Sequence, residues 1–178
     1  MRKLQIFTLA ILLFAVIGCT KTGTDTVANK VQSSATEERL APNGNSGPSA
    51  NGQGGLLLNG RVQHFAFHAS IDKDGMVSGS FESKSPGQDF RTHGTITCLV
   101  LLPDNKTAIM SGVITKITGD GFPGVVEGTP VWFKVRDNGE GANSPEDQFS
   151  DYYLGVSGCV EYGFPLLPIT NGNIQVKP

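Results

Sequence analysis

One segment of the chain concentrates side chains that can bind a metal ion or exchange protons. Between Val135 and Asp151 it reads VRDNGEGANSPEDQFSD, with five carboxylates, three amides and two glycines. Calcium binds six to eight oxygen ligands, although the acidic positions do not recur at the spacing of an EF-hand loop. The candidate calcium ligands are Asp137, Glu140, Asp147 and Asp151. A calcium site, a catalytic acid pair and a structural loop between two strands are all open, and the structural loop is favoured.

The three histidines offer a second set of metal ligands. His64 and His68 fall in one predicted strand, where four residues separate them by about 13 Å, so they cannot bind one ion together. His93 lies in another predicted strand and would have to face one of them. A two-histidine site completed by a carboxylate of the acidic segment is one interpretation. The favoured alternative is that all three histidines are ordinary solvent-facing residues.

The single tryptophan suggests a binding surface. Trp132 shares one face of a predicted strand with two basic residues, and this face is expected to contact water. An exposed Trp132 near Tyr152 and Tyr153 would form a stacking platform for a sugar ring or another protein. In the favoured alternative a loop, such as residues 119–127, or the alkyl stems of the basic neighbours cover the indole.

Motifs typical of common enzymes are missing from the sequence. It contains no Gly-x-Ser-x-Gly, no His-Glu-x-x-His, no Cys-x-x-Cys and no phosphate-binding glycine loop. No cofactor is predicted apart from the calcium considered above. The carboxylates cluster in one segment, whereas a glycosidic acid and base need a fixed separation. A binding or structural role is therefore favoured over catalysis.

The N-terminus reads MRKLQIFTLAILLFAVIGCTK, in which two basic residues precede an apolar run from Ile6 to Ile17. This run is short for a membrane span and is typical of a secretory signal. Residues 16–19, Val-Ile-Gly-Cys, resemble the lipobox of bacterial lipoproteins. The resemblance implies cleavage of residues 1–18 and acylation of Cys19 with fatty chains such as palmitate. Two or more chains give a stable membrane anchor, because each buried methylene contributes about 0.8 kcal/mol.

Cleavage of the signal and acylation of Cys19 affect the net charge of the chain and the number of cysteines that can pair. The whole chain has a formal charge of −2, and loss of two basic residues with the signal makes it more negative. Nucleic acid, which requires a basic surface, is therefore not an expected partner. With Cys19 acylated, Cys98 and Cys159 form an even pair in an oxidising compartment. We predict a Cys98–Cys159 disulfide that stabilises by about 4 kcal/mol; two buried thiols are the alternative.

The rest of the chain divides into a tether and one folded domain. Residues 19–53 are poor in large apolar side chains and predict a disordered tether behind the lipidated cysteine. Residues 54–178 alternate polar and apolar residues with glycine-rich turns and show no helical period. They predict an all-β domain of seven or eight antiparallel strands. A barrel is the favoured architecture, and a two-sheet sandwich is the alternative. DYYLGVSGCVEY, residues 151–162, is assigned to the sixth strand.

Four motifs taken in order resemble a group of bacterial secreted and lipoprotein β-domains. They are HGTITCLVL, AIMSGVITKI, the acidic segment and NGNIQV. The resemblance implies a β fold and no particular activity. The predicted protein is anchored to the cell membrane or outer membrane, faces the periplasm or the exterior, and uses its β-domain to bind a glycan or an envelope protein or to serve a structural role. A small hydrolase or isomerase with its site in a barrel mouth is the alternative.

Overall fold

The computed structural model describes residues 47–85, 89–141 and 143–178, which form nine β-strands and no helix. In this part of the chain no helix has the length and apolar character needed to cross a bilayer. Cys19 and most of the predicted tether lie outside these residues. The strands are β1 Ser49–Leu58, β2 Arg61–Ile71, β3 Val77–Ser85, β4 Phe90–Leu101, β5 Thr107–Thr118, β6 Pro130–Arg136, β7 Gln148–Phe149, β8 Tyr153–Leu154 and β9 Leu167–Lys177.

The strands close into a barrel. Strands β1 to β6 pair antiparallel with their neighbours in chain order, β9 pairs with β1, and the short β7 joins β9 to β6. Strand β8 adds to the edge of β6 beside β7. The prediction of an all-β antiparallel barrel is confirmed, with eight strands in the closed circle and one extra strand.

The alternating residues of the strands fill the barrel with aromatic rings. On β2 the side chains of Phe65 and Phe67 point inward, and on β6 that of Phe133 does. Phe149 of β7 stacks on Phe65 with ring centres 4.2 Å apart and lies 5.5 Å from Phe133. Because side chains in a strand alternate between faces, the sequence pattern alone predicts which residues enter this core.

Two inward-facing glycines make room for these rings. A Cβ at Gly52 of β1 would lie 3.0 Å from the Phe67 ring, and a Cβ at Gly94 of β4 would overlap the Phe81 ring. The β4–β5 register also shifts beside Gly94, as expected for a bulge in a strongly curved strand.

The two ends of the barrel differ. One, which we call the sealed end, carries the Asp72–Gly75 turn, the 102–106 turn and the acidic segment, and Ser49 of β1 faces Lys177 of β9 there. Small and aliphatic side chains fill the interior at this end, including Ala50, Ala69 and Val176. The opposite or open end carries the β1–β2 turn, the 119–129 loop and residues 151–154. Its interior is hollow.

The folded part differs from the prediction in two places. Strand β1 starts at Ser49 and not near Gly54, so residues 49–53 belong to the barrel and not to the tether. Only Tyr153 and Leu154 of the predicted sixth strand are extended in a ladder. The following residues, 155–166, form a loop that lies against the outside of the barrel, and we call it the covering loop. It hydrogen-bonds both backbone and side chains of the barrel, from Gly155 N–H to the Pro130 oxygen at 2.8 Å and from Gly158 N–H to Ser111 Oγ at 3.0 Å, and an alternating pattern does not predict such contacts.

The predicted disulfide between Cys98 and Cys159 is confirmed. Cys98 lies on β4 beside a register shift, and Cys159 lies in the covering loop. The bridge therefore fastens this loop to the barrel wall.

Candidate functional site

The hollow open end contains a pocket of about 630 Å³. Inward-facing residues of β2, β3 and β4 form its walls, and residues 151–154 and the 119–129 loop contribute from the other side. Its volume lies within the range of small-molecule sites, and an eight-stranded barrel has room for one small ligand.

Gln63, Ser83 and Thr92 form a polar band between the opening of the pocket and an apolar floor of Phe81, Val131 and the Tyr152 ring. Gln63 follows the inward parity of Phe65 and donates from Nε2 to Ser83 Oγ at 2.8 Å. Thr92 of β4 faces the same space and is only 5 % exposed. Among the described residues the only buried side-chain polar atom without a partner is Arg136 Nε, which is not part of the pocket. The pocket's polar atoms are therefore either paired or open to the cavity.

Asp151 contributes a carboxyl group to the same pocket. Its backbone has a φ of 71°, a conformation that few residues other than glycine, asparagine and aspartate adopt. Burial raises the pKa of the Asp151 carboxyl above its ordinary value, against hydrogen bonds from the Tyr152 backbone N–H and the Gln63 side chain. A carboxyl group of this kind favours a ligand that supplies a hydrogen-bond donor.

Tyr152 separates the pocket from the aromatic core. Its ring lies 5.0 Å from Phe133 and 5.1 Å from Phe149, and its hydroxyl donates to the Glu82 backbone oxygen at 3.1 Å. Burial, together with the charges of Asp151 and Glu82, raises the pKa of the Tyr152 hydroxyl well above its ordinary value. The Tyr152 hydroxyl is therefore neutral and donates a hydrogen bond to the barrel wall, and the Tyr152 ring forms part of the floor of the pocket.

The rim of the pocket is apolar and exposed. Phe122 is 44 % and Leu154 is 43 % exposed, and both line the opening. Phe122 meets Phe90 edge to face with ring centres 5.0 Å apart, and Val125 lies beside them. Arg61 is an exposed cation of the lining. The site thus has a polar band above an apolar floor and a largely apolar rim that also carries Arg61 and Ser85, a distribution that suits an amphipathic ligand.

The acidic segment hydrogen-bonds mainly to backbone. Both oxygens of Asp137 accept backbone N–H groups, from Gly139 at 2.7 Å and Val176 at 3.0 Å. Both oxygens of Asp147 do the same, from Asn138 at 2.8 Å and Ile174 at 2.7 Å. These bonds satisfy the edge of β9 where β7 is too short to pair with it.

The structure does not assemble the predicted calcium ligands. Glu140 accepts hydrogen bonds from Asn173 and Gln175 on β9, whereas Asp151 lies in the pocket of the open end. Within residues 47–85, 89–141 and 143–178, no three histidine, cysteine or acidic side chains converge as a metal site would require. The segment therefore forms hydrogen bonds along the edge of β9 and stabilises that strand.

The histidines lie on the outer face of the barrel. His68 hydrogen-bonds Ser80, and His93 lies 3.6 Å from Glu82 on β3. Strand β3 separates the two β2 histidines from His93, a distance of about 10 Å across two strand spacings. The structure therefore does not form the two-histidine site considered as one interpretation, and these side chains are absent from the lining of the open-end pocket.

Trp132 does not form the exposed platform considered above, because it is 0 % exposed and, as in the favoured alternative, a loop covers its indole. The covering loop packs on it: its indole lies 5.7 Å from Tyr162 and 5.2 Å from Phe164, and Nε1 donates to the Val160 backbone oxygen at 3.0 Å. Tyr153 joins this outer cluster, whereas Tyr152 faces the interior. The loop that covers Trp132 is residues 155–166 and not residues 119–127.

Sequence reasoning missed three polar residues of the pocket, Gln63, Ser83 and Thr92. Gln63 lies on the inward parity of β2 beside Phe65 and Phe67, Ser83 follows Phe81 on the inward parity of β3, and Thr92 lies between Phe90 and Gly94 on that of β4. Such a polar exception on a core face is the signal that would have indicated a cavity.

Comparison with family models, with curated proteins and with solved structures gives no match to this chain.

Proposed function

We propose that this protein is a lipid-anchored module of a bacterial cell envelope that binds a small ligand in the open end of its barrel. The observation that carries the proposal is the pocket of about 630 Å³ with a polar band and a largely apolar rim. An interior cavity lowers the stability of a fold, because the residues around it lose packing contacts. A cavity lined by hydrogen-bonding groups is typical of a binding site.

The location rests on the sequence. The signal-like N-terminus and its lipobox-like end support acylation of Cys19 and attachment to the cell membrane or outer membrane, with the barrel in the periplasm or outside. The likeness to bacterial lipoprotein β-domains and the disulfide support an oxidising envelope compartment. The formal charge gives no support to a nucleic-acid partner.

A hydrolase or isomerase is the second candidate, and the buried Asp151 carboxyl with its raised pKa favours it. The pocket lining, however, contains one carboxyl and no histidine among the described residues. A hydroxyl nucleophile such as that of Ser83 therefore has no base beside it, which favours binding over turnover. The variant Asp151→Asn, in which asparagine tolerates the same backbone conformation, would abolish any turnover while leaving most of the binding.

The pocket is tested by filling it. We expect members of a soluble fragment library to bind the wild-type chain and to bind Ser85→Trp at least about tenfold more weakly, because the indole occupies the opening beside residue 85. Ligand-observed NMR measures the binding. Ser78→Trp places the same ring on the outer face of β3 and is the matched control. Fragments that bind all three proteins equally, or none, would refute the pocket as a site.

The anchor is tested on the precursor expressed in a bacterium. We expect the wild-type chain to lose residues 1–18, to gain the mass of two or three acyl chains and to pellet with membranes. The variant Cys19→Ser should remain unacylated, because the thiol is the site of the thioether bond. Intact mass and fractionation measure both outcomes. An unacylated wild-type chain with a free Cys19 thiol would contradict the lipid anchor and leave the pocket untouched.

A further inference from the structure

We infer that the pocket takes an amphipathic ligand whose uncharged, hydroxylated head group, a sugar or polyol, enters first and whose apolar part stays at the rim. This inference rests on the proposed function and adds the chemical class of the ligand. It follows from where polar and apolar side chains lie along the depth of the pocket.

The side chains of the polar band and Asp151 indicate the chemistry of the head group. Gln63, Ser83 and Thr92 offer uncharged amide and hydroxyl groups, and Asp151 offers a carboxyl that accepts hydrogen bonds. Hydroxyl groups of a ligand both donate and accept, so they can match all of these side chains at once. A hydroxylated ring or chain therefore satisfies more of the wall than a group that only donates or only accepts.

A charged head group fits less well. An anionic head at depth would lie beside Asp151, and the one cation among the described lining residues, Arg61, is exposed and therefore screened by solvent. A cationic head would pair with Asp151, but the other described residues of the lining offer it no second carboxyl. Desolvating a charge for a single partner is unfavourable relative to a neutral group that makes several hydrogen bonds.

The apolar part is indicated by the rim. Phe90, Phe122 and Leu154 present an apolar surface at the opening, and two of them are partly exposed in the free protein. A ligand group that covers this surface removes apolar area from water, which favours binding in proportion to that area. Because these rim side chains lie outside the polar band, a ligand whose hydroxyl groups reach the band places its apolar part on the rim.

The probe is phenyl β-glucoside, which joins a hydroxylated ring to a small apolar group. Glucose, benzoate and benzylamine test the head alone, an anionic head and a cationic head. Binding to the full chain is measured by calorimetry, in lipid nanodiscs with empty nanodiscs as the blank if the chain is acylated. We expect phenyl β-glucoside to bind at least about tenfold more tightly than each of the other three.

Two variants test whether the probe binds in the pocket. Thr92→Val removes one hydroxyl from the wall with little change of shape and should weaken binding by about 2- to 10-fold. Its matched control is Thr95→Val, which lies on the outer face of the same strand and should leave binding unchanged. Phe122→Ser should weaken phenyl β-glucoside and leave glucose unchanged, with the exposed Met76→Ser at the sealed end as its control.

The outcomes separate this inference from the proposed function. Benzoate or benzylamine binding as tightly as phenyl β-glucoside would overturn the neutral head group. Failure of phenyl β-glucoside to bind, or binding that Thr92→Val does not alter, would overturn it as well. In either case fragments that Ser85→Trp excludes would still establish a small-molecule site, whereas their absence would remove the proposed function itself.

Discussion

Replacing Trp132 with alanine should lower the free energy of unfolding by about 3–5 kcal/mol, the usual cost of deleting a fully buried large aromatic side chain. The indole is 0 % exposed although it points away from the barrel interior. Its removal leaves a cavity under the covering loop and deprives the Val160 backbone oxygen of its hydrogen bond from Nε1. Chemical denaturation followed by circular dichroism measures the loss.

Two controls isolate the cause of this loss. Trp132→Phe keeps an aromatic ring against Phe164 and loses the Nε1 hydrogen bond, so its cost should be well below that of alanine. Phe122→Ala removes a half-exposed ring at the rim and should cost less than about 1.5 kcal/mol. A loss below about 1 kcal/mol for Trp132→Ala would show that the covering loop contributes little to the fold.

The double variant Cys98→Ser/Cys159→Ser should lose about 4 kcal/mol of stability. The two cysteines are 61 residues apart, and a cross-link of this span lowers the entropy of the unfolded chain by an amount that corresponds to this energy. The bridge also holds the covering loop against β4 and β5, where Gly158 donates to Ser111 Oγ at 3.0 Å. Guanidinium denaturation of the oxidised proteins measures the difference.

Reduction supplies the control for the disulfide. The wild-type chain in excess reductant should unfold at the same denaturant concentration as the double serine variant, and reductant should not affect that variant. The effects of Trp132→Ala and of disulfide loss should not add, because both changes act on the same loop. Equal stability of the oxidised wild type and the double variant would show that the remaining contacts of the loop suffice.

Much of the barrel could be predicted from local pattern. The alternation at Phe65, Phe67 and Ala69 identified the inner face of β2, and the same rule placed Val131, Phe133 and Val135 inside. The turn residues between β2 and β3 identified a hairpin. These features depend on residues close in sequence, whereas closure of the barrel also needs the pairing of β1 with the distant β9.

The features that the sequence did not reveal depend on distant partners. Strand β1 is rich in glycine and polar residues, and it is extended because β2 and β9 pair with it on both sides. The burial of Trp132 depends on a loop without periodicity, and the role of Asp147 depends on an N–H group at Ile174. The pocket exists because polar residues of several strands share one end, which no single stretch of sequence indicates.

Ser49 and Lys177 face each other at the sealed end, so β1 begins and β9 ends at neighbouring positions that lie away from the pocket. A sensor chip or a bulky fusion partner coupled beyond Lys177 would therefore leave the cavity accessible from solution. The same arrangement makes both attachment points equivalent for presenting the opening, so immobilised protein can be used to screen ligands without covering the site under study.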